Sequence, residues 1–305
     1  MDTFVDPGPV ADVPWVQGTC SASPDTLNFE TAELCVRLTK SSQTIASLAP
    51  KVAPGFDFAP ADLLAARSGP GYVQLGDLTL RVRTGTSGEW QNIDTWSSRT
   101  AVTAMTASGD VKAAADLALP ASAPLHVTRS WLLTGGRLGM RIVLTNSSSA
   151  AMQVGALGLP MVFDNVLTGR TLDAAHATCS FPDPYIGRDA GYLQVTRLNG
   201  QAPVLLVLPD GSTPFEAYNP IWSAPKSGNQ DPVGIFTDLT QRSSTFEGFL
   251  EWMVHTKAYA DKEWSAAQPW NPPTELDLAP GESKTYGLQF VLADQVRNIE
   301  QRLVA

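Results

Sequence analysis

The sequence predicts a mainly β protein, a large antiparallel β-sandwich with few short helices, and three observations carry that expectation. Apolar residues alternate with polar ones over short segments, as at Leu34, Val36 and Leu38 and again at Leu78, Leu80 and Val82, the period of a strand with one buried face. Turn-forming pairs sit where the chain must reverse, at Gly135-Gly136, Asn199-Gly200 and Pro280-Gly281. Helical spacing is rare, and no internal repeat of fixed period is visible. With 305 residues, 43% of them hydrophobic and 17% charged, there is apolar material for one sizeable core, and sandwiches of this length commonly stand as a single unit.

Taken in order, residues 1–29, rich in Pro, Ser and Asp, read as a loosely attached arm. The strand pattern begins at 33–50, followed by a loop at 54–71 with a helical turn at Ala61–Arg67 and a second strand within 72–85. Residues 125–164 read as strand, glycine turn, strand, polar turn at Asn146–Ser149 and strand, a meander of antiparallel neighbours. The run "APVLLVLP" at 202–209 is continuously apolar and suits a strand covered on both faces. Residues 274–293 read as a hairpin, and Val296, Ile299 and Leu303 as the start of an amphipathic helix that looks interrupted by the end of the chain. Irregular loops are expected at 54–71, 176–190 and 209–245. The domain boundaries are thus an arm at 1–29, a sandwich at 30–293, and a helix or cut linker at 294–305.

The net charge of −9, with Lys and Arg scattered singly, argues against nucleic acid as a partner. No apolar run is long enough for a membrane span, and the N-terminus has neither a cationic start nor an apolar segment, so a soluble chain without an export signal is expected. Cys20, Cys35 and Cys179 fit no zinc spacing; Cys20 and Cys35 could pair in an oxidising compartment, or all three could be buried thiols. No metal site and no cofactor are expected: there is no P-loop, no G-x-S-x-G elbow and no dinucleotide fingerprint. Asn146-Ser147-Ser148 is one N-glycosylation acceptor pattern.

Three aromatic and acidic clusters are candidates for chemistry. In "FEGFLEWMVHTKAYADKEW" (246–264), a strand to about Thr256 followed by a short helical turn holding Tyr259, Glu263 and Trp264 is expected. On that strand Gly248, Leu250, Trp252 and Val254 share one face, with Glu247, Phe249, Glu251, Met253 and His255 on the other. A helix would instead place Glu251 beside His255. The second cluster, "LPDGSTPFEAYNPIW" (208–222), holds Glu216, Tyr218 and Trp222; the third, "FPDPYIGRDAGYLQ" (181–194), holds Asp183, Tyr185 and Arg188. Aromatic rings beside carboxylates and guanidinium groups are the equipment of sugar recognition: rings stack on pyranose C–H faces while the charged groups bond hydroxyls. Glu216, Glu251, His255 and Tyr259 are therefore candidate acids and bases, Glu247 a further one, and Asp183, Tyr185, Arg188, Tyr218, Trp222, Trp252 and Trp264 candidate saccharide contacts. A lyase would add an Arg to neutralise a uronate carboxylate, for which Arg188 and Arg197 are available. For each carboxylate the plainer reading is a turn cap, and for each ring a place in the core.

With the early segments "SSQTIASLAP", "FDFAPADLL" and "VQLGDLTLRVR", these strings and "LAPGESKTYGLQFVLA" resemble the N-terminal portion of a family of large fungal and bacterial proteins of unassigned function, from about residue 30 to the end. The family is similar to two-part carbohydrate-active enzymes in which a galactose-mutarotase-like supersandwich precedes an α/α toroid that commonly carries the main catalytic groups. The resemblance implies secreted relatives, an oligosaccharide or polysaccharide partner, and a toroid or protein partner for the sandwich. It assigns no reaction. Three functions compete: a carbohydrate-associated sandwich, inactive alone; a complete polysaccharide lyase or glycoside hydrolase; and a structural protein pairing through a sandwich face.

Overall fold

A computed structural model describes residues 19–167, 169–221 and 248–304. Three antiparallel sheets are formed by the described residues. The first joins β1 (Thr26–Glu30), β2 (Leu34–Thr39) and β3 (Ile45–Pro50) in sequence order. Six further strands form the second sheet: β4 (Thr79–Thr84), β5 (Gln91–Asp94), β10 (Met152–Met161), β14 (Ala217–Pro220), β15 (Leu250–His255) and β16 (Leu276–Leu278). Their order is β14-β15-β10-β4-β5, with β16 also beside β10. The third sheet holds β6 (Thr103–Met105), β7 (Val111–Asp116), β8 (Leu125–Thr134), β9 (Arg137–Asn146), β11 (Ser180–Tyr185), β12 (Tyr192–Arg197), β13 (Val204–Asp210) and β17 (Ser283–Ala293). It runs β11-β12-β13-β17-β9-β8-β7-β6. Helices are short: α1 (Leu64–Arg67), α2 (Leu172–Thr178), α3 (Lys257–Ala260) and α4 (Ile299–Leu303).

One continuous core lies between the sheets, built from residues that alternate inward on each strand: Leu78, Leu80 and Val82 on β4, Leu250, Trp252 and Val254 on β15, and Tyr286, Leu288, Phe290 and Leu292 on β17. The expected two-sided burial of 202–209 is found on β13, where Leu205 and Val207 enter this core and Val204 and Leu206 enter a second cluster with Ile299 of α4.

Two expected hairpins are not hairpins. β8 and β9 pair over their whole length, but β10 leaves that sheet and pairs with β4, β15 and β16. β16 pairs with β10 while β17 pairs with β9 and β13, so the Pro280-Gly281 turn also links two different sheets. The turn signals were correctly placed; local sequence does not say whether a reversal stays in one sheet or crosses the core. Both crossings meet at Asn146. Its side-chain NH2 donates to Ala150 O (2.8 Å) and Leu278 O (2.9 Å), its Oδ1 accepts from Ser148 N, and its backbone bonds Glu282 and Gly281. At 1% exposure, Asn146 has no free amide for a glycan, which removes it as an acceptor in the folded chain.

Other differences follow from pairing partners far away in sequence. β1 carries residues 26–29, expected in the arm, into a ladder with β2, and a Cys20–Cys35 disulfide ties the preceding segment down; Cys179 is a buried free thiol. The expected loop at 176–190 contains the end of α2 and strand β11, an edge strand that tolerates Pro182 and Pro184, and β14 lies within the expected 209–245 loop. The first sheet is held to the sandwich by the fully buried Arg129, whose guanidinium donates to Ser42 O (2.5 Å) and Gly76 O, with Asp77, paired to Arg99 at 2.6 Å, supplying negative charge nearby.

Replacing Asn146 by Ala takes a donor from Leu278 O, at a buried residue, and the acceptor from Ser148 N, while Ala150 O, at an exposed residue, keeps Ser148 Oγ at 2.9 Å. Asn146→Ala is expected to lower unfolding free energy by about 2–4 kcal/mol in urea titration, whereas Ser148→Ala, at the exposed lip of the same turn, should cost about 1 kcal/mol or less.

Candidate functional site

The 246–264 stretch folds as strand then helical turn within its described part, β15 followed by α3; Glu247 and Trp222 lie outside the described residues. Trp252 faces the main core. Its ring stacks on Phe215 with centroids 4.0 Å apart, its Nε1 donates to Pro214 O at 2.8 Å, and it is 0% exposed, so neither face is open to a sugar. The β-period put Trp252 opposite Glu251, as found, and both faces of β15 are covered; His255, expected on the Glu251 face, meets Tyr286 of the main core instead, because the register of β15 on β10 shifts between Met253 and His255.

Glu251 is on the other face, under α3. Its carboxylate accepts from Thr79 Oγ1 (2.5 Å) and Asn219 Nδ2 (2.6 Å), and Gly158 leaves the room it occupies, since a Cβ there would stand 2.7 Å from Glu251 Oε1. Tyr259 packs above with Arg81 3.9 Å over its ring, Arg81 being held in turn by both oxygens of Glu263. Trp264 stacks on the Tyr259 ring at 4.6 Å. Burial pushes the Glu251 carboxyl up to about 6, against the opposing hydrogen bonds of Thr79 and Asn219 and the charge of Arg81. Burial, reinforced by Glu251, also raises the Tyr259 phenol well above its ordinary range. Neither residue lines either of the clefts described next, and each oxygen of the Glu251 carboxylate has a protein donor. Glu251 and Tyr259, expected as acid and base, sit in a closed polar cluster that fastens α3 to the sheet.

Glu216 is placed differently. A bridge between Gly187 and Phe215 draws the 186–191 loop against 214–216, and β14 pairs with β15, so segments from all three sequence clusters meet around this residue. A fourth segment, 264–276, closes the ring. Glu216 accepts from Thr256 Oγ1 (2.8 Å), Thr274 N (3.2 Å) and Thr274 Oγ1. Two clefts open on either side of it. The first, about 470 Å³, is walled by Tyr218, Trp264 and Trp270. Trp270 is 71% exposed and meets Tyr218, 37% exposed, edge to face at 6.3 Å. The second, about 500 Å³, is lined by Arg188, Lys284, His255, Thr274 and Tyr286 among others.

In the second cleft His255 Nδ1 lies 2.7 Å from Thr274 Oγ1 and Nε2 lies 2.6 Å from the Tyr286 hydroxyl, a bond that crosses from one large sheet to the other. Burial, with Lys284 and Arg188 adding to it, lowers the His255 pKa to about 4 and keeps the ring neutral. Burial and the nearby Glu216 raise the Tyr286 phenol far above its usual value. Thus Glu216, His255, Arg188, Tyr218 and Trp264 come together, while Asp183 and Tyr185 do not: they lie on edge strand β11, Tyr185 stacked on Tyr192 at 4.7 Å. Tyr286, Thr274, Lys284 and Trp270 were missed by sequence. Only Trp270 left a signal, a tryptophan inside the Pro-rich "QPWNPP"; Tyr286 reads as an ordinary inward strand residue. Among the described residues no cluster of metal-ligating side chains is found, and no helix is long and apolar enough to cross a membrane.

This is a large antiparallel β-sandwich, a fold it shares with part of a polysaccharide lyase: TM-score 0.60, 13% identity, 93% of this chain covered against 35% of the lyase. The chain belongs to the DUF5695 family, a family of unknown function, whose pattern matches residues 37–305. Weaker likenesses are to a galactose mutarotase-like protein from Lactobacillus casei (TM-score 0.47, 11% identity, covering 88% and 100% of the two chains) and a putative aldose 1-epimerase from Escherichia coli K12 (0.47, 10%, 88% and 99%). No curated protein sequence matches. The chain therefore spans about a third of the length of the lyase it resembles.

The two buried titrating groups on β15 act in opposite senses. His255, lowered from 6.5 to about 4, binds its proton more readily when unfolded, so its contribution to stability is lost as pH falls from 6.5 towards 4. Glu251, raised from 4.5 to about 6, binds its proton more readily when folded, so its contribution is lost as pH rises through 4.5 to 6. In the wild-type chain the two slopes offset each other over that window. Glu251→Gln should therefore lose stability on acidification from pH 6 to 4.5 more steeply than wild type, by up to about 1.4 kcal/mol per pH unit, in urea unfolding curves taken across the range.

Proposed function

We propose that this chain is a saccharide-binding β-sandwich whose binding surface is the cleft between Tyr218 and Trp270. The observation that carries the reading is that pair of rings. Both are open to solvent, they stand nearly perpendicular at 84°, and they share a cleft with Trp264, Gln268 and Asn271. An exposed indole at the mouth of a cleft keeps a large apolar face wet, which is unfavourable unless something covers it; the C–H face of a pyranose suits it, with amide side chains nearby for hydroxyls. The likeness to a polysaccharide lyase supports a carbohydrate setting.

The boundaries proposed for the unit are an arm to about residue 25, the sandwich to 293, and a C-terminal helical segment that begins at Val296. In a two-part protein the sandwich would sit beside an α/α toroid, an arrangement supported by the 35% share of the lyase that this fold accounts for.

Isothermal titration with a panel of plant and fungal oligosaccharides is expected to find binding to at least one. Trp270→Ala should then weaken it about tenfold or more, the loss of one anchoring ring being worth about 1.4 kcal/mol or more. Binding by no member of the panel, or binding indifferent to Trp270→Ala, would overturn the reading.

A further inference from the structure

The two clefts beside Glu216 differ in charge. Arg188 and Lys284 line the second, which they share with Asp189 and Glu275, whereas the first is lined by rings, hydroxyls, carboxamides and apolar groups, with the Glu216 carboxylate as its charged member. Among the described residues no Lys or Arg lines the first cleft. The cations on the turn beside it are each answered by a carboxylate: Lys257 by Asp261, Lys262 by Glu89, and Arg81 by both oxygens of Glu263. Glu216 is held by neutral donors, Thr256 Oγ1, Thr274 N and Thr274 Oγ1, so none of its hydrogen-bond partners cancels its charge. The aromatic walls act in the same sense. A ring's face carries the negative end of its quadrupole, so Tyr218, Trp264 and Trp270 favour C–H groups over anionic oxygen. What the cleft offers a polar ligand is uncharged: Gln268 is exposed, and Asn271 donates from Nδ2 to Glu216 O at 2.8 Å, which fixes its amide and leaves Oδ1 as an acceptor.

We propose that the cleft between Tyr218 and Trp270 takes an uncharged pyranose and discriminates against uronates and sulfated sugars. The inference rests on the saccharide reading above and names the class of sugar. Tyr218 and Trp270 stand at 84° with centroids 6.3 Å apart, so the two rings cannot lie against one flat face. A sugar ring stacks on one of them and turns its rim of hydroxyls to the amides of Gln268 and Asn271, groups that both donate and accept, as hydroxyls do. A carboxylate or sulfate on that rim meets no opposite charge among the described lining residues. An anion confined to a cleft of about 470 Å³ stands within roughly 10 Å of the Glu216 carboxylate, and at an effective dielectric constant of about 20 like charges at that distance lower affinity about tenfold. A neutral sugar escapes that penalty while keeping the same ring contact and the same hydrogen bonds.

Isothermal titration of the 305-residue chain with matched probes tests this. The probes are cellohexaose, mannohexaose and maltohexaose, the same oligomers oxidised at C6 to uronates, and the methyl esters of those uronates. At least one neutral hexamer is expected to bind, and its oxidised counterpart about tenfold more weakly or worse. Esterification removes the charge without returning the 6-hydroxyl, and should recover most of the loss. Gln268→Lys, at an exposed position, should raise affinity for the oxidised hexamer about threefold or more and so narrow the gap. An oxidised hexamer that binds as tightly as the neutral one would overturn the proposal. So would a methyl ester as weak as its acid, since the 6-hydroxyl and not charge would then decide entry, or a Gln268→Lys chain no better at binding the oxidised hexamer. If uronates bind as well as neutral sugars and Trp270→Ala weakens both, the saccharide-binding reading stands and the selectivity alone fails; if none of the probes binds, both fail.

Discussion

Two large sheets must hide their inner faces from water, and a chain that contributes to both has to cross between them; Asn146 holds the place where it does. Its amide satisfies carbonyls on the 147–151 crossing and at the end of β16, while its own backbone bonds the turn that leads into β17. An apolar residue of similar size would fill the space but take this donor from the Leu278 carbonyl, where burial leaves little water to replace it. The strands on either side, β9, β10 and β17, are with β8 the longest among the described residues, and each sends four or five side chains into the core, so the relative position of the two faces is set at this corner. From it the inward faces of β15 and β17 come opposite each other, and only then can His255 on one sheet meet Tyr286 on the other.

The acidic residues of β14 and β15 show how burial sorts similar side chains into different work. Glu251 and Glu216 are both about 1–2% exposed and both accept hydroxyl hydrogen bonds. Glu251 is roofed by Tyr259, itself clamped between Arg81 and Trp264, so its charge is answered by the protein alone. Glu216 stands in the wall that two open clefts share, and its bonds run through Thr274 to a buried histidine and, beyond it, a buried tyrosine that line the second. A carboxylate enclosed on all sides is a fastening. One whose partners lead to a cleft can pass an electrostatic effect along them.

Strand content, most turns and the strand-to-helix change near Thr256 were legible in the sequence, because period-2 alternation and Gly, Pro and Asn signals are local properties. Sheet membership was not. "APGES" looks the same whether its flanks pair with each other or, as here, with β10 and β9. The site was half legible for the same reason. Glu216, His255 and Tyr218 lie in clusters where rings and carboxylates crowd together, whereas Tyr286 is one more inward residue of an alternating strand and becomes distinctive only when His255 arrives from 31 residues away. Trp252 misled because a ring between carboxylates in sequence is indistinguishable from a ring at a cleft until both faces of its sheet are known to be covered.

Edge strand β11 carries two prolines, and their placement bears on how copies of the protein behave towards one another. The outward-facing N–H positions on that strand fall at alternate residues. Ser180 uses its own to bond Asp164 O at 2.6 Å, and at the next two such positions, Pro182 and Pro184, there is no hydrogen to donate. A free strand from a neighbouring molecule would find carbonyls here without the matching donors, with Asp183 between them. Extension of the eight-stranded sheet from this side into an intermolecular ladder is thereby disfavoured by the covalent chemistry of the strand itself, a safeguard that adds to the cover buried Pro182 has where the Gly248 backbone lies against its ring.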